Sequence, residues 1–218
     1  MGAANVSVTS QTNITEINDL RTNDTTGNIT INDVSESRAN LATIKGYGDV
    51  SLAAANISVT DVVTKDQADV IHGYNTAAGT TVTLSSVSDA FSNIDALQGT
   101  ADVVMTGATI TATSAEAVTK ANATKLDGFT NKVVTVASVK DTRSNVTDIA
   151  GLAGVDMSNA VATIDDAVTL AQVQTDAGNL NSLTDGKITL TAVADTYANV
   201  QEIKKILDAE VDMGAANV

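Results

Sequence analysis

Proline, cysteine and tryptophan are absent from this 218-residue chain, and aromatic residues make up only 2% of it. Without cysteine there is no disulfide framework and no thiolate metal site, although the compartment stays open because many secreted bacterial proteins also lack cysteine. Without aromatic bulk, a core must be built from Val, Ile, Leu and Ala, which favour thin, regular layers. Positive charge is scarce as well: 12 Lys and Arg stand against 26 Asp and Glu, a net charge of −14. That balance argues against nucleic acid or an anionic membrane as a partner. No apolar run reaches 18 residues, and no basic start leads into an apolar segment, so neither a transmembrane helix nor a signal peptide is expected within the sequence.

What the chain has in abundance is repetition. Met1-Gly-Ala-Ala-Asn-Val6 recurs letter for letter as Met213-Gly-Ala-Ala-Asn-Val218. Degenerate versions lie between them as Leu52-Ala-Ala-Ala-Asn-Ile57, Met105-Thr-Gly-Ala-Thr-Ile110 and Met157-Ser-Asn-Ala-Val161, the last read with one residue deleted. A second signature keeps the same beat, an acid, three positions, then Asn: Glu36 to Asn40, Asp89 to Asn93, Asp141 to Asn145 and Asp195 to Asn199. The expected organisation is one domain over residues 1–218, with repeats near 1–51, 52–104, 105–156 and 157–212 and a fifth opening at 213–218.

Each repeat divides into two halves. Alternating apolar and hydroxyl residues predict strands near residues 5–9, 28–32, 56–60, 81–86, 109–113, 133–137, 160–164 and 187–191. Weaker signals at Gly48–Leu52, Asp102–Met105 and Val211–Met213 suggest a short extra strand once per repeat. After each strand the apolar spacing changes to three, as in Val146, Ile149 and Leu152 or Ile14, Ile17 and Leu20, which lays one stripe along a helix. Ser88, Asp89, Asp141 and Asp195 read as helix starts, and Gly46, Gly99 and Gly128 as stops. A strand of five residues and a helix of about 12 both span roughly 17–18 Å, so each helix can return the chain to begin a parallel strand. The expected fold is a right-handed α/β solenoid, like a leucine-rich-repeat horseshoe in outline, with a parallel sheet on one face and helices on the other.

The outward strand positions are rich in Ser and Thr: Ser58, Thr60, Thr83, Ser85, Thr111, Thr113, Thr189 and Thr191. Two readings stand. Hydroxyls suit a solvated β surface, and a regular hydroxyl face can also bind a glycan or another surface; Asn32, Ala137 and Ala162 interrupt the regularity that an ice-binding face needs. The acid-to-Asn motif offers one carboxylate and one amide per turn, fewer oxygens than calcium takes. A structural role is expected instead, the Asp capping its helix and the Asn tying one turn to the next. His72 is the sole histidine, next to a helix end, and Asp165-Asp166 reads as a capping turn. No constellation of nucleophile, base and oxyanion donor is present, so no enzyme activity and no cofactor are expected.

The segments Ser88-Asp-Ala-Phe-Ser-Asn-Ile-Asp-Ala-Leu97, Lys140-Asp-Thr-Arg-Ser-Asn-Val146 and Ala194-Asp-Thr-Tyr-Ala-Asn-Val200 alternate with Val59-Thr-Asp-Val-Val-Thr-Lys-Asp-Gln67 and Ser114-Ala-Glu-Ala-Val-Thr-Lys120. In these segments the chain resembles the long arrays of giant bacterial cell-surface and secreted proteins, including adhesin-like and haemolysin-type proteins of cyanobacteria and proteobacteria. The resemblance implies an extracellular or cell-surface setting and a role as stalk, spacer, surface-layer element or adhesin. Partners are then copies of the chain or adjacent repeats, stacked head to tail because no distinct cap covers the first or last turn.

Overall fold

The computed structural model describes residues 5–23, 27–172, 183–206 and 211–212. The hexapeptide copy at 213–218, most of its twin at 1–6 and residues 173–182 lie outside them. Contacts gather into two compact units, residues 1–88 with 93–109 and residues 89–92 with 110–218.

The first unit runs β1 (Val6–Val8), α1 (Ile14–Asn23), β2 (Ile29–Ile31), β3 (Asp33–Glu36), α2 (Arg38–Lys45), β4 (Val50–Ser51), β5 (Asn56–Val63), α3 (Lys65–His72), β6 (Val82–Asp89), α4 (Phe91–Gln98) and β7 (Val103–Val104). The second runs β8 (Thr109–Ala112), α5 (Lys120–Asp127), β9 (Val134–Val136), β10 (Ser138–Asp141), α6 (Arg143–Ala150), β11 (Val155–Asp156), β12 (Val161–Val168), β13 (Ile188–Val193), α7 (Tyr197–Ile206) and β14 (Val211–Asp212). The unit boundary passes through the ends of β6, α4 and β8. All the ladders are parallel, as strands joined through helices must be, and the fold is α/β. Residues 56–60, 109–113 and the other expected strands coincide with observed ones, and the short extra strands are β4, β7 and β14, with β11 as a fourth.

Each unit carries two ladders where a single sheet was expected. The first holds β1-β2-β4 and β3-β5-β6-β7, and the second holds β8-β9-β11 and β10-β12-β13-β14. The division comes from a bend at Asn32 and Ala137, between β2 and β3 and between β9 and β10. Neither bend loses its hydrogen bonds. Asn32 N–H donates to Val8 O and its carbonyl accepts from Asn56 N–H, while Ala137 N–H donates to Ala112 O and its carbonyl accepts from Val161 N–H.

Residues 29–67 map onto 134–172 without a gap at a displacement of 105 residues, element for element. This register corrects the deletion assumed in Met157-Ser-Asn-Ala-Val161. Val161 takes the exposed place of Asn56, and Ala162 takes the inward place of Ile57, in line with the buried Val139 and Ile188. Ala162 is therefore a core residue and not an interruption of the hydroxyl face. The Leu52, Met105 and Met157 tetrads are tight corners in which the amides of Ala55, Ala108 and Ala160 donate three residues back, burying the first and fourth side chains.

A βα turn, one strand with its helix, forms a rung with a small standard core. It buries inward strand residues, such as Ile29 and Ile31 or Val134 and Val136, and two helix residues three apart, such as Leu41 and Ile44 or Val146 and Ile149. One glycine is fixed by close approach: a Cβ on Gly186 would lie 2.1 Å from Ala160 O. That carbonyl is already held by the buried Thr184 hydroxyl at 2.6 Å. Three expectations follow from this packing. Ile149→Ala should cost about 2–5 kcal/mol and Gly186→Ala about 1–3 kcal/mol in denaturant unfolding, whereas the exposed Val62→Ser should stay within about 0.5 kcal/mol.

Candidate functional site

The most regular polar feature of the molecule joins one rung to the next. A helix leaves its first amides without an intrahelical acceptor. In this chain the N-cap hydroxyl takes the third amide: Ser37 from Asn40 N–H, Thr64 from Gln67, Thr119 from Asn122, Thr142 from Asn145, Thr169 from Gln172 and Thr196 from Asn199. The amide at the helix start is taken by a carboxylate from the following rung. Ile14 N–H donates to Glu36 (2.8 Å), Arg38 to Asp61 (2.8 Å), Lys120 to Asp141 (2.9 Å), Arg143 to Asp166 (2.6 Å) and Leu170 to Asp195 (2.7 Å). In α4 the second residue is held instead, Ser92 N–H to Glu116 at 2.9 Å.

Two kinds of acid alternate in this stitch. Glu36, Asp141 and Asp195 stand immediately before an N-cap. One oxygen of each faces the preceding rung, while the other accepts from the N-cap amide and from the side-chain amide of Asn40, Asn145 or Asn199 at 2.7–2.8 Å. Asp61, Glu116 and Asp166 stand three residues before an N-cap. Asp61 and Asp166 are delivered by β-bulges, where residues 60–61 oppose Ser85 and residues 165–166 oppose Thr191.

This arrangement reassigns the roles expected for the acid-to-Asn motif. The hydroxyl residue between them caps the helix, the acid reaches back to the preceding rung, and the Asn, one helical turn away, holds the acid in place. In the copy at Asp89 the acid accepts from Ala90 N–H at 2.8 Å, and the N-cap position is filled by Ala90, which has no side-chain oxygen. A different Asn ties rungs together. Asn5 and Asn56, from the hexapeptide motif, accept from Asn28 N–H (3.1 Å) and Thr81 N–H (3.0 Å) of the next rung.

Burial pushes the Glu36 and Asp141 carboxyls up, but the combined hydrogen bonds outweigh it. Those from Ile14, Asn40 and Ser37 leave Glu36 below its ordinary value, and those from Asn145, Lys120 and Thr142 leave Asp141 below its own. Asp195 is lowered by Leu170 N–H first, then by Asn199 and Thr196. With N–H donors already pointing at both oxygens, these carboxylates present no free acceptor set for a cation. Among the described residues no three His, Asp or Glu gather as a metal site, and no helix is long and apolar enough to cross a membrane.

The hydroxyl face is aligned in part. Ser58 is in register with Ser35 and Thr83, and Thr189 with Thr163, in half-exposed rows, while Thr111 is in register with the exposed Thr135. Thr60 and Ser85 are exposed, but they fall at the bulge, where register shifts. Thr191 spends its hydroxyl on Ile164 O at 2.9 Å, and Thr113 donates its amide to Asp89 O. His72 closes α3 half-exposed. Asp165 and Asp166 point to different partners, Lys140 Nζ at 3.7 Å and Arg143 N–H.

Compared with protein-family models, curated proteins and solved structures, the chain shows no significant match. The site is therefore read from its own geometry.

Because folding lowers the pKa of Glu36, Asp141 and Asp195, the stitch is fully present above the unfolded carboxyl value of about 4 and is lost as pH falls through the lower folded values. Denaturant unfolding should give near-constant stability from these groups above about pH 5 and a decline on acidification below it. The triple variant Glu36→Gln, Asp141→Asn, Asp195→Asn should be less stable at neutral pH and show a shallower acid decline. An unchanged acid limb would show that these carboxylates do not carry it.

Proposed function

We propose that this chain is a structural repeat segment of a large extracellular or cell-surface bacterial protein, a right-handed α/β solenoid acting as an extended stalk, spacer or surface-layer element. The observation that carries the reading is the stitch. Its acids join rung to rung while the N-cap hydroxyls cap their own helices and the motif asparagines hold the acids in place, and the scheme recurs at 105 residues with its elements in phase. Right-handedness rests on the strong preference of parallel strand crossovers for that hand. The setting rests on the resemblance to giant surface and secreted arrays.

The reading assigns no catalysis. The stitch carboxylates with lowered pKa values are bonded to amides, and the sole histidine ends a helix. A second reading, adhesion through the sheet face, is favoured by the in-register rows Ser58–Thr83 and Thr163–Thr189. It requires Thr83→Lys and Thr189→Lys to abolish retention on a glycan array.

Repeat proteins of this kind grow in one dimension. Small-angle scattering from one, two and three joined copies of the 105-residue repeat should give a maximum dimension that rises linearly with copy number. A compact particle whose dimension rises only with the cube root of mass would overturn the stalk reading.

A further inference from the structure

Arg38 and Asp66 line one cavity without pairing. It lies between α2 and α3, holds about 250 Å³, and is walled by Arg38, Ala42, Asp66, Gln67, Val70 and Tyr74. On the same helix Lys65 and Asp69 join at 2.5 Å, but among the described residues the Arg38 guanidinium and the Asp66 carboxylate hold no ion pair or hydrogen bond. Gln67 is fixed by its helix cap. Its carbonyl oxygen accepts from Thr64 N–H at 3.1 Å, which leaves its NH2 group to donate. Ala42 is exposed, Val70 is 58% exposed, and the half-buried Tyr74 ring completes the wall. Lys45 Nζ stands 6.0 Å from the centroid of that ring and outside the cavity lining.

The cavity departs from the repeating frame. At the displacement of 105 residues the core pair Leu41 and Ile44 is answered by Val146 and Ile149, and the stitch acid Asp61 by Asp166. Arg38 and Gln67 keep their residue types at Arg143 and Gln172, but Ala42 becomes Thr147 and Asp66 becomes Ala171. The Asp66 side chain therefore serves neither the core nor the stitch.

The lining selects its occupant by charge. A net charge of −14 and a carboxylate in the wall disfavour an anion, and an unpaired guanidinium disfavours a cation. A neutral group that both donates and accepts satisfies the two side chains together, and a hydroxyl does so. A pyranose carries several hydroxyls in fixed directions, and its C–H face is apolar surface for Tyr74, Val70 and Ala42. Clefts for drug-sized ligands start near about 300 Å³, so this one suits a single ring. A free amino acid also meets the two charges; the Gln67 donor and the aromatic wall favour the polyhydroxyl ring.

We propose that the cavity between α2 and α3 binds one neutral pyranose residue of a glycan, Arg38 and Gln67 donating to its hydroxyls, Asp66 accepting from them, and Tyr74 packing on its C–H face. The site is independent of the stalk reading and lies on the helix side, away from the hydroxyl rows of the strands.

Amide-resolved NMR titration of the full chain tests it. The probes are the methyl pyranosides of glucose, galactose and mannose, each taken to about 100 mM, above an expected dissociation constant on the order of 1–10 mM. At least one should give saturable shifts confined to α2, α3 and Tyr74. Asp66→Ala, an exposed change that circular dichroism can show to be folded, should weaken that binding at least about tenfold. Thr83→Lys, on the sheet face, should leave it within about twofold. No saturable shift with any of the three, shifts centred elsewhere, an Asp66→Ala variant that binds like the parent, or tighter binding of L-leucine would each overturn the site. Linear growth of joined repeats is unaffected by any of these results, so failure here is separate from failure of the stalk.

Discussion

A carboxylate oxygen accepting the first amide of a neighbouring helix is the interaction on which this chain's regularity depends. Parallel strands pair anywhere along their length, and a core of Val, Ile, Leu and Ala is smooth enough to slide. A one-residue slip would turn every inward side chain outward, but a slip of two residues keeps the apolar face inward, so burial alone leaves even shifts open. An acid that must meet one particular N–H fixes it. The charge-assisted hydrogen bond also satisfies an amide that a helix cannot satisfy itself, and it places negative charge at the positive end of the helix dipole. A partner of this kind contributes about 1.5–3 kcal/mol, so repetition makes it a substantial part of the difference between one register and another.

The stitch also explains why the repeat is double. An acid directly before the N-cap reaches the preceding helix from a regular strand end and needs an Asn one turn on to steady it. Of the acids three residues earlier, Asp61 and Asp166 lie within strands, where a bulge turns each toward the preceding helix, and Glu116 lies in the loop after β8. The two solutions alternate, so an acid of the same kind returns every 52–54 residues, from Glu36 to Asp89, Asp141 and Asp195. Charge does not keep this phase: Arg21 pairs with Asp49 at 2.9 Å, and at the later place Asp127 lies against Gly154, where a Cβ would lie 1.5 Å from its oxygen.

Much of this was legible in the sequence because the two periods are clean. Alternation located the strands, and apolar residues three apart located α6 and its buried Val146 and Ile149. The acid-to-Asn spacing marked a real structural unit, but its roles were misassigned, since spacing alone does not say which neighbour a carboxylate faces. The bulges at Thr60–Asp61 and Asp165–Asp166 were hidden because a bulge is defined by what lies opposite it. The bends at Asn32 and Ala137 were hidden too, since neither residue type enforces one. A one-residue deletion assumed near Met157 placed Ala162 on the wrong face, the penalty of a period-2 pattern for any slip.

The account's central claim is that the following rung's carboxylate holds the opening amide of a helix. Native-state hydrogen exchange resolved to single amides measures this directly. Ile14, Arg38, Lys120 and Arg143, the first residues of α1, α2, α5 and α6, should exchange at least about tenfold more slowly than the second residues Thr15, Ala39, Ala121 and Ser144. Asp141→Ala should remove the difference at Lys120 and leave it at Arg143. Equal exchange at first and second amides, or a loss of protection spread evenly over both helices in the variant, would contradict the account.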